Sequence, residues 1–196
     1  LVAAPARQKQ VWDVRTVGLG ILSSRRGALK SIAFMEDVAV PVELLSGYVE
    51  NLERLFSQHG VQAYYYAHAS AGCLHIRPML NLKDPDGRAK LRALAEGALE
   101  IALALGGAAS GEHGDGLSRA EWLPRTFGEP VMQAFRLLKN AADPSGLLNP
   151  GKLPDTPPMD AGLRIDAYQQ EAGWAPVIDF SSYENQGARG GGLLGA

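Results

Sequence analysis

The sequence predicts an α+β domain, a ferredoxin-like antiparallel sheet with helices packed on one face. Three observations predict it. Apolar residues recur at helical spacing twice, through Leu44, Leu45, Tyr48, Leu52, Leu55 and Phe56, and again through Leu91, Leu94, Ala98, Leu99, Ile101 and Leu105. Between these stripes lie two extended runs, the aromatic-rich Gln62 to Ala67 and then Cys73 to Arg77, joined by the small residues Ala69 to Gly72. Short β-type runs precede the first stripe, so the order is strand, helix, strand, strand, helix.

Each element has a local reason. Thr16 to Leu22 reads as a first β-type run, and Ser31 to Phe34 with Val38 to Val40 as the next, separated by a turn at Arg25-Arg26-Gly27. Pro41 opens the first helix, where a missing N–H is harmless, and Gly60 closes it. The run from Cys73 is expected to stop at Pro78. Asp84 or Asp86 caps the second helix, and Gly106-Gly107 ends it. Gly111 to Gly116 is a tight loop. A third helix, Glu129 to Ala141, is expected to bury Val131, Met132, Phe135 and Leu138, and to stop before Asp143-Pro144. Gly146 to Lys152 is rich in turn formers. Beyond it, prolines at 154, 157 and 158 and five glycines in the last ten residues read as a linker or tail over 154–196. The domain proper is thus expected over 1–153.

A chain of 196 residues suffices for one well-cored domain, and 46% hydrophobic with 20% charged residues is ordinary for a globular protein. Nineteen basic against 21 acidic residues leave a net charge of -2, with no basic stripe for nucleic acid. The single Cys73 excludes an intrachain disulfide and fits a reducing compartment. No stretch approaches the roughly 20 apolar residues of a membrane span; the most apolar helix, Leu91 to Leu105, carries Arg92, Glu96 and Glu100. The start, Leu1-Val2-Ala3-Ala4, has neither methionine nor signal-like order, as expected of a piece of something longer.

Chemistry concentrates in two runs that hold three of the four histidines. His68-Ala69-Ser70-Ala71-Gly72-Cys73-Leu74-His75 is one, and Ser110-Gly111-Glu112-His113-Gly114-Asp115-Gly116 is the other. Along an unbroken strand, residues seven apart face opposite ways. The Ala-Ser-Ala-Gly turn removes that obstacle, since two arms of a hairpin can aim at one point. Imidazole nitrogens with a carboxylate oxygen are a common shell for zinc, iron or manganese, and a histidine beside the carboxylate stays free to move a proton. The alternative is one core and one surface histidine with no shared role. Cys73 reads as a small buried hydrophobe outside any metal shell. Arg15 and Arg77 are candidate clamps for a carboxylate, or ordinary salt-bridged arginines. The glycine loop lacks the Lys-Ser/Thr ending of a phosphate loop.

These motifs, together with Asp143-Pro144 and Leu148-Asn149-Pro150-Gly151-Lys152, resemble the FAD-linked oxidase C-terminal domain. That is the substrate, or cap, domain of flavoprotein 2-hydroxyacid dehydrogenases such as D-lactate dehydrogenases, the glycolate oxidase D subunit and D-2-hydroxyglutarate dehydrogenases. The resemblance runs over residues 12–153, is nearest to long members fused to an iron–sulfur domain, and implies that residues 1–153 are the second half of that cap domain. It implies His68, His75 and Glu112 as ligands of a divalent metal, His113 as the base that takes the substrate hydroxyl proton, Arg15 on the substrate carboxylate, and Asn149 against the flavin. The family's usual Gly-Asp-Gly-Asn before Leu-His is replaced here by Ser70-Ala71-Gly72-Cys73. It further implies a small 2-hydroxy acid as substrate and FAD held by a binding domain elsewhere in the parent chain. Localisation would be cytoplasmic, or peripheral to the inner membrane through an electron acceptor. The fragment alone would be inactive. The rival classes are a stand-alone metal-dependent hydrolase and a structural or interaction domain; neither needs flavin.

Overall fold

The computed structural model describes residues 2–163; most of the expected tail, 164–196, lies outside the described residues. The chain begins with helix α1 (Pro5–Ser23), followed by two short strands, β1 (Lys30–Ser31) and β2 (Val38–Ala39). Helix α2 (Leu45–Gln58) leads into the hairpin β3 (Ala63–His68) and β4 (Cys73–Leu80). Helix α3 (Pro85–Ala104) follows. The short helices α4 (Gly116–Arg119) and α5 (Leu123–Phe127) and then α6 (Glu129–Ala142) complete the order.

Strand β4 is the centre of an antiparallel sheet, paired with β3 along one edge and with β1 and β2 along the other. Helices cover one face. From α2, Tyr48, Leu52 and Phe56 project at four-residue spacing, and from α3 come Leu91, Leu94, Ala95, Ala98, Leu99 and Ala102. All are buried in a single core with Leu74, Ile76 and Leu80 of β4 and Val38 of β2. Burying a large aliphatic or aromatic side chain contributes about 1.5–3 kcal/mol, so this interdigitation holds helices to sheet. Asp84 caps α3 by accepting from the Asp86 N–H at 3.0 Å, with Pro85 in the first turn. The α+β architecture with helices on one face is therefore as expected.

Several local expectations differ. Thr16 to Leu22 is not a strand but the second half of α1. Val17, Leu19 and Ile21 alternate with Thr16, Gly18 and Gly20, which imitates the strand period of two. Helical contacts prevail: Pro5 opens the first turn, Lys9 pairs with Asp13 at 2.8 Å, and the Thr16 hydroxyl donates to the Trp12 carbonyl. The helix buries none of its residues. Strand β4 runs on through Pro78 to Leu80, because the Pro78 carbonyl still accepts from the Ile32 N–H at 2.9 Å. On α6 only Met132 is buried, against Ala120 and Leu123, while Val131, Phe135 and Leu138 stay exposed. Helix α6 meets the domain through α5 rather than through the main core.

The start of the expected linker lies against the domain. Met159 is buried in the core, its N–H donates to Glu121 at 2.7 Å, and Asp160 pairs with Arg92 at 3.1 Å. No helix among the described residues is long and apolar enough to cross a membrane.

Candidate active site

Hairpin register decides which side chains share a face. His68 lies opposite Cys73 and Tyr66 opposite His75. Side chains alternate along a strand, so Tyr66, His68, Cys73, His75 and Arg77 share the face turned away from α2 and α3. The turn between the arms is a 3-10 turn, Ala69–Ala71, closed by Gly72 at φ 66°. A Cβ at Gly72 would stand 1.9 Å from the Val40 carbonyl oxygen, so this tight return needs glycine. The seven-residue spacing thereby becomes a same-face pair, with ring centroids 5.1 Å apart and edge to face.

Two further segments close over this face. The first lies between β1 and β2. Residues 32–37 of that edge oppose only 75–78 of β4, so two extra residues bulge outward. The bulge sets the Glu36 carbonyl 2.8 Å from His75 Nδ1. With Nδ1–H donating to that carbonyl, Nε2 keeps its lone pair for the other side of the ring. The Glu36 carboxylate pairs with Arg77 at 2.5 Å, and Arg77 also donates to the Tyr66 hydroxyl at 3.2 Å. Arg77 is thus the salt-bridged arginine of the two candidates.

The second segment is the loop 110–113, which leaves α3 along the β2 edge through paired hydrogen bonds between Ala39 and Ala108. It brings Glu112 Oε1 to 3.1 Å from His68 Nε2 and 3.2 Å from His75 Nε2. His113 Nε2 is 3.5 Å from the same oxygen, and its ring stacks on His75 at 5.1 Å. His75 is buried; His68, Glu112 and His113 remain open to solvent. The structure therefore brings four of the six expected site residues to one point.

Metal–ligand distances of about 2.0–2.2 Å put neighbouring donor atoms roughly 3–3.5 Å apart. The His68 and His75 Nε2 atoms each stand at that separation from Glu112 Oε1, and two nitrogens with one oxygen suit zinc, iron or manganese. A donor atom from each of Asp37, Cys73, His75 and Glu112 also lies within 4.8 Å of the others. Asp37 is, however, already engaged by Ser110 and loop N–H groups. Burial would raise its pKa. The Ser110 hydroxyl, the N–H groups of His113 and Glu112 and the nearby His113 ring outweigh that and hold it below its ordinary value. Burial, with the charges of Asp37 and Glu112, pushes the Cys73 thiol up to about 11, so it stays protonated near neutrality. The Nε2 atoms of His68 and His75 face Glu112 Oε1 outside those hydrogen bonds.

Arg15 and Asn149 stand outside this cluster. Arg15, exposed on α1, has its guanidinium 4.9 Å from the centroid of the Tyr66 ring, which in turn lies 4.6 Å from the His75 ring. One aromatic ring thus separates Arg15 from the histidines. Asn149 adopts φ 50° in a turn held by Asp143, whose carboxylate accepts from the Leu147 and Leu148 N–H groups at 2.9 Å. It makes no hydrogen bond among the described residues.

Glu36 and Asp37 were not foreseen. The available signal was an acidic pair interrupting the otherwise apolar stretch Ile32 to Val40. Beside the loop lies a cavity of about 220 Å³, bordered by Ala109, Ser110, Glu112, Asp115, Thr126 and Phe127.

Comparison with known proteins adds an independent finding. Residues 1–153 match the family described as FAD linked oxidases, C-terminal domain. The chain is 34% identical over 163 residues to D-2-hydroxyglutarate dehydrogenase of Escherichia coli (strain K12), covering 83% of this chain and 16% of that protein. It is 37% identical over 144 residues to the protein of that name from Pseudomonas putida, covering 74% of this chain and 14% of the other. Against glycolate oxidase subunit GlcD of Escherichia coli (strain K12) it is 31% identical over 126 residues, covering 64% and 25%. The chain spans about one sixth of the D-2-hydroxyglutarate dehydrogenases it matches. It belongs to the FAD-linked oxidase family, as C-terminal domain sequence of these oxidoreductases.

Proposed function

We propose that this chain is the substrate-handling segment of a flavin-dependent 2-hydroxyacid dehydrogenase. The observation that carries the reading is the convergence of His68, His75 and His113 Nε2 atoms on one oxygen of Glu112, on the sheet face turned away from α2 and α3. In this reading His68, His75 and Glu112 hold a divalent cation, and FAD is carried by another part of the longer protein. When bound, the cation supplies Lewis acidity that eases loss of the substrate's hydroxyl proton, and the flavin supplies a hydride acceptor.

The protein's own residues do the rest. Arg15 pairs with the substrate carboxylate, using the planar fork that suits it. Tyr66 braces that guanidinium on its ring face. His113 Nε2 takes the hydroxyl proton. Its Nδ1 edge faces Glu36 Oε1 and Asp37 Oδ1, each at 3.8 Å, and their charge offsets that of the imidazolium formed. Asn149 lies against the flavin. The matched relatives' names make D-2-hydroxyglutarate the first substrate to test and glycolate the second.

The test uses the full-length protein with D-2-hydroxyglutarate and an artificial electron acceptor. His113→Ala should lower turnover by about 10²–10⁴ while metal content stays near normal. Glu112→Ala should lower metal content, with activity partly rescued by excess metal. The opposite pattern exchanges the two roles, and metal-loaded, flavin-free protein that hydrolyses esters or amides while leaving D-2-hydroxyglutarate unoxidised favours a metal-dependent hydrolase instead.

A further inference from the structure

We propose that Asp37 is the positioning residue of this site: its buried carboxylate holds the loop 110–113 so that Glu112 and His113 both face His68 and His75. The inference rests on the metal-centre reading given above.

Adjacent residues in extended backbone point opposite ways, yet Glu112 and His113 reach the same place. The loop backbone supplies the reason. Three consecutive N–H groups, of Gly111, Glu112 and His113, donate to Asp37 Oδ2 at 3.0, 3.1 and 2.7 Å. The Ser110 hydroxyl donates to the same oxygen at 2.7 Å, and the Gly111 N–H also lies 2.6 Å from the Asp37 carbonyl. Successive amides curled around one anion form a nest. Here the anion comes from the chain itself, carried in by the bulge between β1 and β2.

Asp37 is 0% exposed, so solvent does not compete for its oxygens. Hydrogen bonds to a carboxylate are shorter and stronger than neutral ones, and several onto one group fix a loop firmly. An asparagine in its place can set its carbonyl oxygen where Oδ2 stands, but it brings no charge. Its NH2 then meets the Glu112 N–H and the Cys73 thiol that approach Oδ1, so the isosteric Asp37→Asn exchange loosens the loop. Asp37 need not touch substrate or cation. It acts by curling the loop that carries one ligand, Glu112, while His68 and His75 remain set by the hairpin. That difference separates a positioning role from general support of the fold.

The experiment measures the Zn²⁺ dissociation constant of the full-length protein by competition with a chromophoric chelator. Asp37→Asn is made in the wild-type, Glu112→Ala and His68→Ala backgrounds. Outer partners of metal ligands typically matter by about 10–100-fold in affinity, and Asp37→Asn should weaken binding by that much in wild type and in His68→Ala. In Glu112→Ala it should add nothing, because the ligand it positions is gone. Equal loss in all three backgrounds, or no loss in wild type, overturns the proposal. If Asp37→Asn fails to fold, Ser110→Ala takes its place: a few-fold loss seen only while Glu112 is present supports the proposal, and an unchanged constant overturns it. Wild-type protein that takes up no Zn²⁺ overturns the metal-centre reading and this inference with it, whereas a Zn²⁺-binding wild type with additive losses overturns this inference alone.

Discussion

His68 and His75, seven residues apart in sequence, stand edge to face with ring centroids 5.1 Å apart on one side of a single hairpin. Both direct Nε2 at the same Glu112 oxygen. Their meeting depends on the return made by Ala69 to Gly72, and on Gly72 above all.

Gly72→Ala tests that dependence. The added methyl would fall 1.9 Å from the Val40 carbonyl oxygen, at a φ of 66° that alanine resists. The loss of stability should exceed about 2 kcal/mol, read from urea unfolding. Metal affinity should fall as well, since the hairpin arms part where His68 sits. A variant as stable as wild type would show that the turn is not constrained in this way.

Arg15 and Tyr66 make a second, separable prediction. Arg15→Lys keeps the charge but loses the fork, and should raise KM for a 2-hydroxy acid by about 10-fold or more, since hydrogen bonds between charged groups contribute about 1.5–3 kcal/mol. Tyr66→Leu removes the ring beneath the guanidinium. It should raise KM only several-fold, in line with about 0.5–1 kcal/mol for an exposed cation–π contact. Steady-state kinetics check both. A fall in kcat at unchanged KM for Arg15→Lys would remove this residue from carboxylate binding.

Acid lability follows from two carboxylates. Burial would raise the Glu121 pKa, but hydrogen bonding and charge from Arg92, together with the Met159 N–H, leave it lowered. Lys139 first, and then the Leu148 and Leu147 N–H groups, hold Asp143 below its ordinary value. A carboxylate whose pKa is lower folded than unfolded contributes stability above its unfolded pKa, about 4. That contribution fades as pH falls through the lowered folded value. The thermal midpoint should therefore change little from pH 7 to about 5 on account of these groups and drop below about 4. Glu121→Gln should lower the midpoint at pH 7 and make the acid slope shallower; a slope identical to wild type would remove Glu121 from the acid response.

The sequence made some of this legible and concealed the rest for physical reasons. Helices α2 and α3 and the β3–β4 hairpin could be read because each has a buried face, and burial enforces a regular apolar period. Helix α1 buries nothing, so nothing enforced a helical period on it, and Val17, Leu19 and Ile21 happened to alternate. The apolar side of α6 was legible as a stripe, but a stripe does not say what covers it. In the site, His68, His75 and Glu112 stood out because histidines are few and the residues around them are small. Asp37 did not. Its role depends on a two-residue register slip in the sheet and on a loop more than 70 positions away, and neither leaves a local pattern.

The central claim is that His68, His75 and Glu112 form one metal shell. X-ray absorption at the metal edge of the loaded full-length protein, repeated on Glu112→Ala, tests it most directly. The account predicts nitrogen and oxygen donors at about 2.0–2.2 Å, with imidazole scattering from two histidines in wild type, and loss of the carboxylate contribution together with most of the bound metal in the variant. A wild-type spectrum without imidazole ligands, or a Glu112→Ala variant with unchanged spectrum and metal content, would contradict it.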